Sequence, residues 1–178
     1  MRSVTVFLSS SPGRPSAIAA IEELARELAH RRLTLVYGGA SRGLMGVLAD
    51  TALAAGGRVV GVIPQALVDY EVAHRGLTEQ HVVETMHQRK AMMFSLADAF
   101  IVAPGGFGTL EEAFEQLTGY QLGYHAKPLV FLDVDGFWHK LEDFLDHAVQ
   151  AGVMLAQTRA LFRTAPSARA ALDALAAW

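Results

Sequence analysis

Two glycine-rich strings in this chain hold the residue types that an anionic ligand needs. The first is Tyr37-Gly38-Gly39-Ala40-Ser41-Arg42-Gly43-Leu44-Met45-Gly46, which follows an apolar run and precedes a helical one. Glycines there let the backbone approach a ligand, and the free N–H groups at a helix start favour an anion. Neither familiar phosphate loop fits. The dinucleotide fingerprint G-x-G-x-x-G is absent, and a Walker loop running from Gly38 to Gly43 would meet Leu44 and Met45 where Lys and Ser/Thr are required. A tight strand-to-helix turn needing small residues explains the string as well as ligand binding does. The second string is Pro104-Gly105-Gly106-Phe107-Gly108-Thr109-Leu110-Glu111-Glu112. Thr109 with Glu112 three residues on reads as a capping box. A cap alone requires neither the proline nor the glycines at 105, 106 and 108. Together they predict a bay of N–H donors suited to a phosphate.

The elements that must carry these loops alternate from end to end. Apolar runs at 4–9, 33–37, 58–63, 81–84, 99–103 and 129–133 read as strands, with a last one at 161–164. Between them, apolar residues recur at helical spacing: Ile18, Ile21, Leu24, Ala25 and Leu28 after a cap at Ser16, then 44–55, 86–96, 109–122, 137–151 and 167–177. Residues 65–80 are polar and aperiodic, which predicts a long, partly ordered loop of the kind that is often functional. The strand runs lack polar alternation, so both of their faces are covered, as in a parallel sheet between helix layers. The expected architecture is one doubly wound α/β domain over residues 1–178, with its ligand at the carboxyl ends of the strands.

Composition narrows the chemistry. The chain has 178 residues, 52% hydrophobic and 19% charged, with a formal net charge of −3. No basic stripe points to nucleic acid. The absence of cysteine removes disulfides, thiolate nucleophiles and Cys-ligated metals. The seven histidines follow no metal-ligand spacing, so no metal is expected. No apolar run reaches the roughly 18 residues of a membrane span. The first strand-like run begins at Val4, leaving no room for a leader, and a cytoplasmic protein is the expectation.

The segment 104–112 resembles the P-G-G-x-G-T-x-x-E signature of the LOG ("Lonely Guy") family of cytokinin riboside 5′-monophosphate phosphoribohydrolases. Met86-His87-Gln88-Arg89-Lys90 resembles that family's M-H-x-R-K segment, and the first glycine string resembles its Y-G-G-G-x-x-G-L-M-G loop. Gln121-Leu122-Gly123 and Asp135-Gly136-Phe137-Trp138 are further points of likeness, and Ala40 departs from the family where a third glycine is usual. The resemblance implies a Rossmann-like fold, a homodimer, and hydrolysis of a small nucleoside monophosphate without cofactor or metal. Members have often been labelled lysine decarboxylases. Only Lys90, Lys127 and Lys140 could form a Schiff base here, and none lies in a recognisable cofactor context.

Cleaving an N-glycosidic bond passes through a sugar cation. A carboxylate can stabilise that cation and orient water, a cation can offset charge on the departing base, and a clamp can hold the phosphate. By match to the motifs, Glu112 is the candidate carboxylate and Arg89 the candidate cation. A guanidinium donates protons poorly but stabilises charge well. Gly105, Gly106, Gly108 and Thr109 are expected to hold the 5′-phosphate, with Gly39 and Ser41 as secondary contacts. Lys90 is a second cation, Glu111 a candidate for the ribose hydroxyls, and Thr118 and Glu71 candidates for the base pocket. Met92, Met93 and Phe94 read as core or dimer contacts. Two rivals stand beside this reading. One is a non-catalytic nucleotide or molybdenum-cofactor carrier on the same fold, for which an acid beside a phosphate loop has no use. The other is a dinucleotide-dependent oxidoreductase, whose fingerprint is missing.

Overall fold

A computed structural model describes residues 1–68 and 73–178. Its elements, in chain order, are β1 (Ser3–Phe7), α1 (Pro15–His30), β2 (Thr34–Tyr37), α2 (Gly43–Ala54), β3 (Val59–Pro64), α3 (Gln65–Val68), β4 (Glu79–Val83), α4 (Met86–Leu96), β5 (Ala99–Val102), α5 (Phe107–Gln121), β6 (Leu129–Leu132), α6 (His139–Gln150), α7 (Ala156–Arg159), β7 (Arg163–Ala165) and α8 (Ala168–Ala176). The strands form one parallel sheet in the order β4-β3-β2-β1-β5-β6-β7. The expected doubly wound α/β architecture is therefore what the chain adopts. Among the described residues, no helix is long and apolar enough to cross a membrane.

Successive strand residues point to opposite faces, and the sequence fills both. On one face Val4, Val6, Leu35, Tyr37, Ile101 and Val130 pack against α1, α2 and α8, while on the other Phe7, Val36, Val62, Phe100, Val102 and Phe131 meet Met93, Ala113, Trp138 and Leu145. Helix α1 contributes Ile21, Leu24, Ala25 and Leu28, all fully buried at the spacing of one helical stripe. Thr5 is a buried polar residue on β1, and its hydroxyl donates to the Met93 carbonyl at 3.1 Å, so it carries no unpaired-donor cost.

Strand order reverses between β1 and β5, so the loops after these strands part and leave a crevice. The second glycine loop lies on one side of it. Two expectations about helix starts are corrected there and on α1. Helix α1 begins at Pro15, not after a Ser16 cap: proline at the first helical position already has its φ set and lacks only an N–H that would be orphaned anyway. Helix α5 begins at Phe107 with Gly106 in the capping position and no side-chain cap. Thr109 and Glu112 lie inside that helix and do not form the expected capping box. The box belongs to α4 instead. There the Thr85 hydroxyl accepts from Gln88 N at 3.1 Å, and the Gln88 amide oxygen accepts from Thr85 N at 3.2 Å.

Thr85→Ala removes one half of that box, and a cap of this kind contributes about 1 kcal/mol. Urea denaturation is expected to show a loss of that size.

Candidate active site

The cleft at the sheet's carboxyl edge has a volume of about 320 Å³ and is walled by the β1 loop, by α4 and by the start of α5. Arg89 from α4 and Glu112 from α5 both line it, and both are buried, with 3% and 7% exposure. Thr109, also buried, and Gly106 and Gly108 form its floor at the first turn of α5.

Arg89 is held by the ends of two strands. Its Nε donates to the Val62 carbonyl at 3.1 Å, and its Nη2 donates to the Gly38 carbonyl at 3.1 Å. Nη1 lies 3.7 Å from the Met86 sulfur. A cation withdrawn from water needs such oxygens, because an uncompensated buried charge is costly. Gly38 is what makes the seat possible. A Cβ on that residue would stand 2.1 Å from Arg89 Nη2. The first glycine string is therefore a socket for the guanidinium. Gly39, whose φ of +78° suits glycine, turns its carbonyl toward His74 N at 2.9 Å. Gly39 and Ser41, expected as secondary phosphate contacts, do not line the cleft.

The second loop uses each glycine differently. A Cβ on Gly105 would lie 2.0 Å from Thr109 Oγ1, so Gly105 makes room for the threonine side chain. Cβ atoms on Gly106 or Gly108 would meet nothing within 4 Å. Both glycines are exposed, and the first N–H groups of α5, which have no partner within the helix, suit an anion. Gly105 itself borders an adjoining cavity of about 520 Å³, which shares Ser9 and Gly106 with the cleft.

The other candidates divide. Glu111 is on the rim of the cleft, but its carboxylate accepts from Lys90 Nζ at 2.5 Å. Lys90 also reaches Glu115 at 3.1 Å and does not line the cleft. The hydrogen bond to Glu111 is the largest cause raising the Lys90 ammonium above its ordinary pKa, against partial burial that works the other way. Thr118 faces a different, smaller cavity beside Leu145, Met154 and Phe162, two turns from Glu112 and outside the cleft. Glu71 lies outside the described residues. Met93 is core, and Phe94 packs against it. The sequence reading passed over Ser9, Ser10, Met45, Leu67, Met86 and Phe107 as cleft residues. Ser9 and Ser10 were open to inference, since the loop after β1 borders the switch point of any such sheet. Phe107 is 93% exposed, an aromatic at the mouth of the cleft.

Among the described residues, no three His, Asp or Glu side chains group as a metal site would need. None of the three lysines lines the cleft. Lys127 points its Nζ at the Phe94 carbonyl, 2.6 Å away, and over the Phe94 ring.

Comparison with known proteins follows the same lines. A family model described as "Possible lysine decarboxylase" matches residues 45–175. The chain is 50% identical over 160 residues to a protein of Rhodococcoides fascians named "Cytokinin riboside 5′-monophosphate phosphoribohydrolase", covering 89% of this chain and 81% of that relative. It is 44% identical over 176 residues to "Cytokinin riboside 5′-monophosphate phosphoribohydrolase LOG5" of Arabidopsis thaliana, covering 98% of this chain and 77% of the relative. Among solved structures, a molybdenum cofactor binding protein of Rippkaea orientalis superposes with a TM-score of 0.75 at 18% identity, over 98% of this chain and 95% of that one. At that identity the likeness concerns the fold alone.

Gly38→Ala puts a methyl group where Arg89 Nη2 stands. The guanidinium is the end of a flexible side chain, so the variant is expected to fold. It should lose about 1.5–3 kcal/mol with the charge-assisted hydrogen bond. Urea denaturation measures that loss. The Arg89 Nε–H NMR resonance is expected to exchange slowly in the wild type and fast in the variant.

Proposed function

The chain belongs to the family of the cytokinin riboside 5′-monophosphate phosphoribohydrolases, and on that premise we propose that it hydrolyses the N-glycosidic bond of an adenine-type nucleoside 5′-monophosphate. Water and nucleotide give a free base and ribose 5-phosphate. AMP and its N6-prenylated counterparts are the proposed substrates. One observation carries the reading: a buried acid and a buried cation from different helices line one cleft, over the bare first turn of α5.

Each part has a task in this reaction. The N–H groups of Gly108 and Thr109, with the Thr109 hydroxyl, hold the 5′-phosphate at the positive end of α5. That fixes the ribose, so the glycosidic carbon stands at one place. The Glu112 carboxylate faces the sugar ring. It stabilises the cation that grows there as the bond to the base lengthens, and it orients and deprotonates the attacking water. Arg89, held rigidly, offsets the negative charge that the base takes with it. Its guanidinium keeps its proton, so it acts by charge, while the base is protonated by solvent. Arg89 and Glu112 are themselves buried, and charges act more strongly away from water.

The lysine decarboxylase description of the family model fits this cleft less well. A Schiff base needs an amine inside the pocket, and Lys90, Lys127 and Lys140 all stand elsewhere. The resemblance also leads us to read the protein as a cytoplasmic homodimer.

Glu112→Gln keeps the shape of the side chain and removes its charge. Turnover of AMP and of isopentenyladenosine monophosphate, followed by chromatography of the released base, is expected to fall by about 10²–10⁴-fold. The far-UV spectrum should be unchanged. A wild-type protein that leaves both nucleotides intact and retains another ligand tightly would favour a carrier instead.

A further inference from the structure

Each helix of the cleft carries a second charged residue directly after or before the one in the cleft: Lys90 follows Arg89, and Glu111 precedes Glu112. Adjacent helical residues point about 100° apart. So Arg89 and Glu112 enter the cleft, Lys90 stands beside it and Glu111 sits on its rim, and these second residues meet. Lys90 Nζ lies 2.5 Å from Glu111 Oε1 and 3.1 Å from Glu115 Oε1. The lysine side chain is only 16% exposed, whereas the two carboxylates retain 54% and 41%.

Glu111 and Glu115 are four residues apart on one helix, a spacing at which like charges repel. A single ammonium between them cancels that repulsion. An isolated exposed ion pair constrains little. Here one largely buried lysine reaches two carboxylates a helical turn apart on the other helix, so it ties the first turns of α4 to the stretch of α5 that holds Glu112 between them. Both catalytic candidates ride on these helices, each next to a clamp residue in sequence.

We propose that Lys90 is a positioning residue: through Glu111 and Glu115 it fixes the register of α4 against α5 and thereby the placement of Arg89 relative to Glu112. The proposal rests on the phosphoribohydrolase reading above. It gives Lys90 and Glu111 a role other than contact with phosphate or ribose.

The test is a cycle of variants of the full chain, assayed with AMP for kcat and KM and by urea denaturation for stability. Lys90→Met is expected to lower kcat about 10- to 100-fold, the scale of a misplacement of up to 1 Å. KM should stay within about twofold, because phosphate binding does not use Lys90. Glu111→Gln with Glu115→Gln should reproduce the loss, and combining all three changes should add nothing further. Lys90→Arg, which can bridge the same carboxylates, should retain most of kcat. A raised KM with unchanged kcat would overturn the proposal and make Lys90 a substrate contact. Independent, multiplicative losses in kcat would overturn it too, as would a Lys90→Met enzyme of normal kcat. A wild type without phosphoribohydrolase activity would refute the functional reading on which the proposal rests. The denaturation cycle would then still judge the clamp by itself: additive effects on stability would refute it, and coupled effects would retain the bridge without its catalytic purpose.

Discussion

The site depends on one constraint: a guanidinium can be withdrawn from water only where oxygens are waiting for it. Arg89 finds them at the ends of two adjacent strands. β2 and β3 run parallel with Tyr37 opposite Gly61, so the residues that follow, Gly38 and Val62, present their carbonyls side by side. The register of the sheet thus sets the seat of the cation. A glycine at 38 is needed because any side chain there would occupy the guanidinium's own volume. The cap at Thr85 matters for the same reason, since it fixes the turn of α4 from which Arg89 departs.

The opposite wall of the cleft is set by where α5 begins. With Gly106 as its capping residue, the helix offers no side-chain oxygen to its own first N–H groups. Its positive end is left for a ligand, and Thr109 and Glu112 turn inward within the first two turns. A conventional cap at Thr109 would have started the helix three residues later and spent both side chains on the backbone. With glycine at the cap, leaving out the side-chain oxygen costs only a few tenths of a kcal/mol and places an acid beside an anion seat. An acid placed there repels a phosphate but stabilises a positive charge that develops nearby during the event the cleft serves. A sugar losing its base supplies that charge.

Much of this was legible in the sequence. Seven apolar runs separated by helical periodicities could form little except a covered parallel sheet, and the two glycine strings marked its carboxyl edge. The motif positions Arg89 and Glu112 do share a cleft. What escaped the sequence was which partner each residue satisfies. Thr109-x-x-Glu112 and Thr85-x-x-Gln88 are both capping boxes on paper, and only the course of the chain into each helix decides between them. Gly38 read as room for a ligand when it is room for an arginine 51 residues away. Lys90 and Glu111 read as ligand contacts because their partner, each other, lies on a different helix. Thr118 shares a helix with Glu112 but faces another cavity. These are tertiary facts, which local spacing does not encode.

The same frame is shared with a molybdenum cofactor binding protein at 18% identity, so the frame cannot decide the chemistry. It supplies a crevice at the switch point and a helix start aimed into it, which is enough to hold an anion. What suits this crevice to hydrolysis is the pair of opposite charges set in it and held still. Stillness is the demanding part. Arginine, lysine and glutamate are among the side chains with most rotamer freedom to lose. Here that freedom is removed by strand carbonyls for Arg89 and by carboxylates of the facing helix for Lys90. Burial in the second turn of α5 does the same for Glu112. The sheet fixes one wall and the ion pairs register the other against it, so rigidity gathers where the proposed reaction would need it.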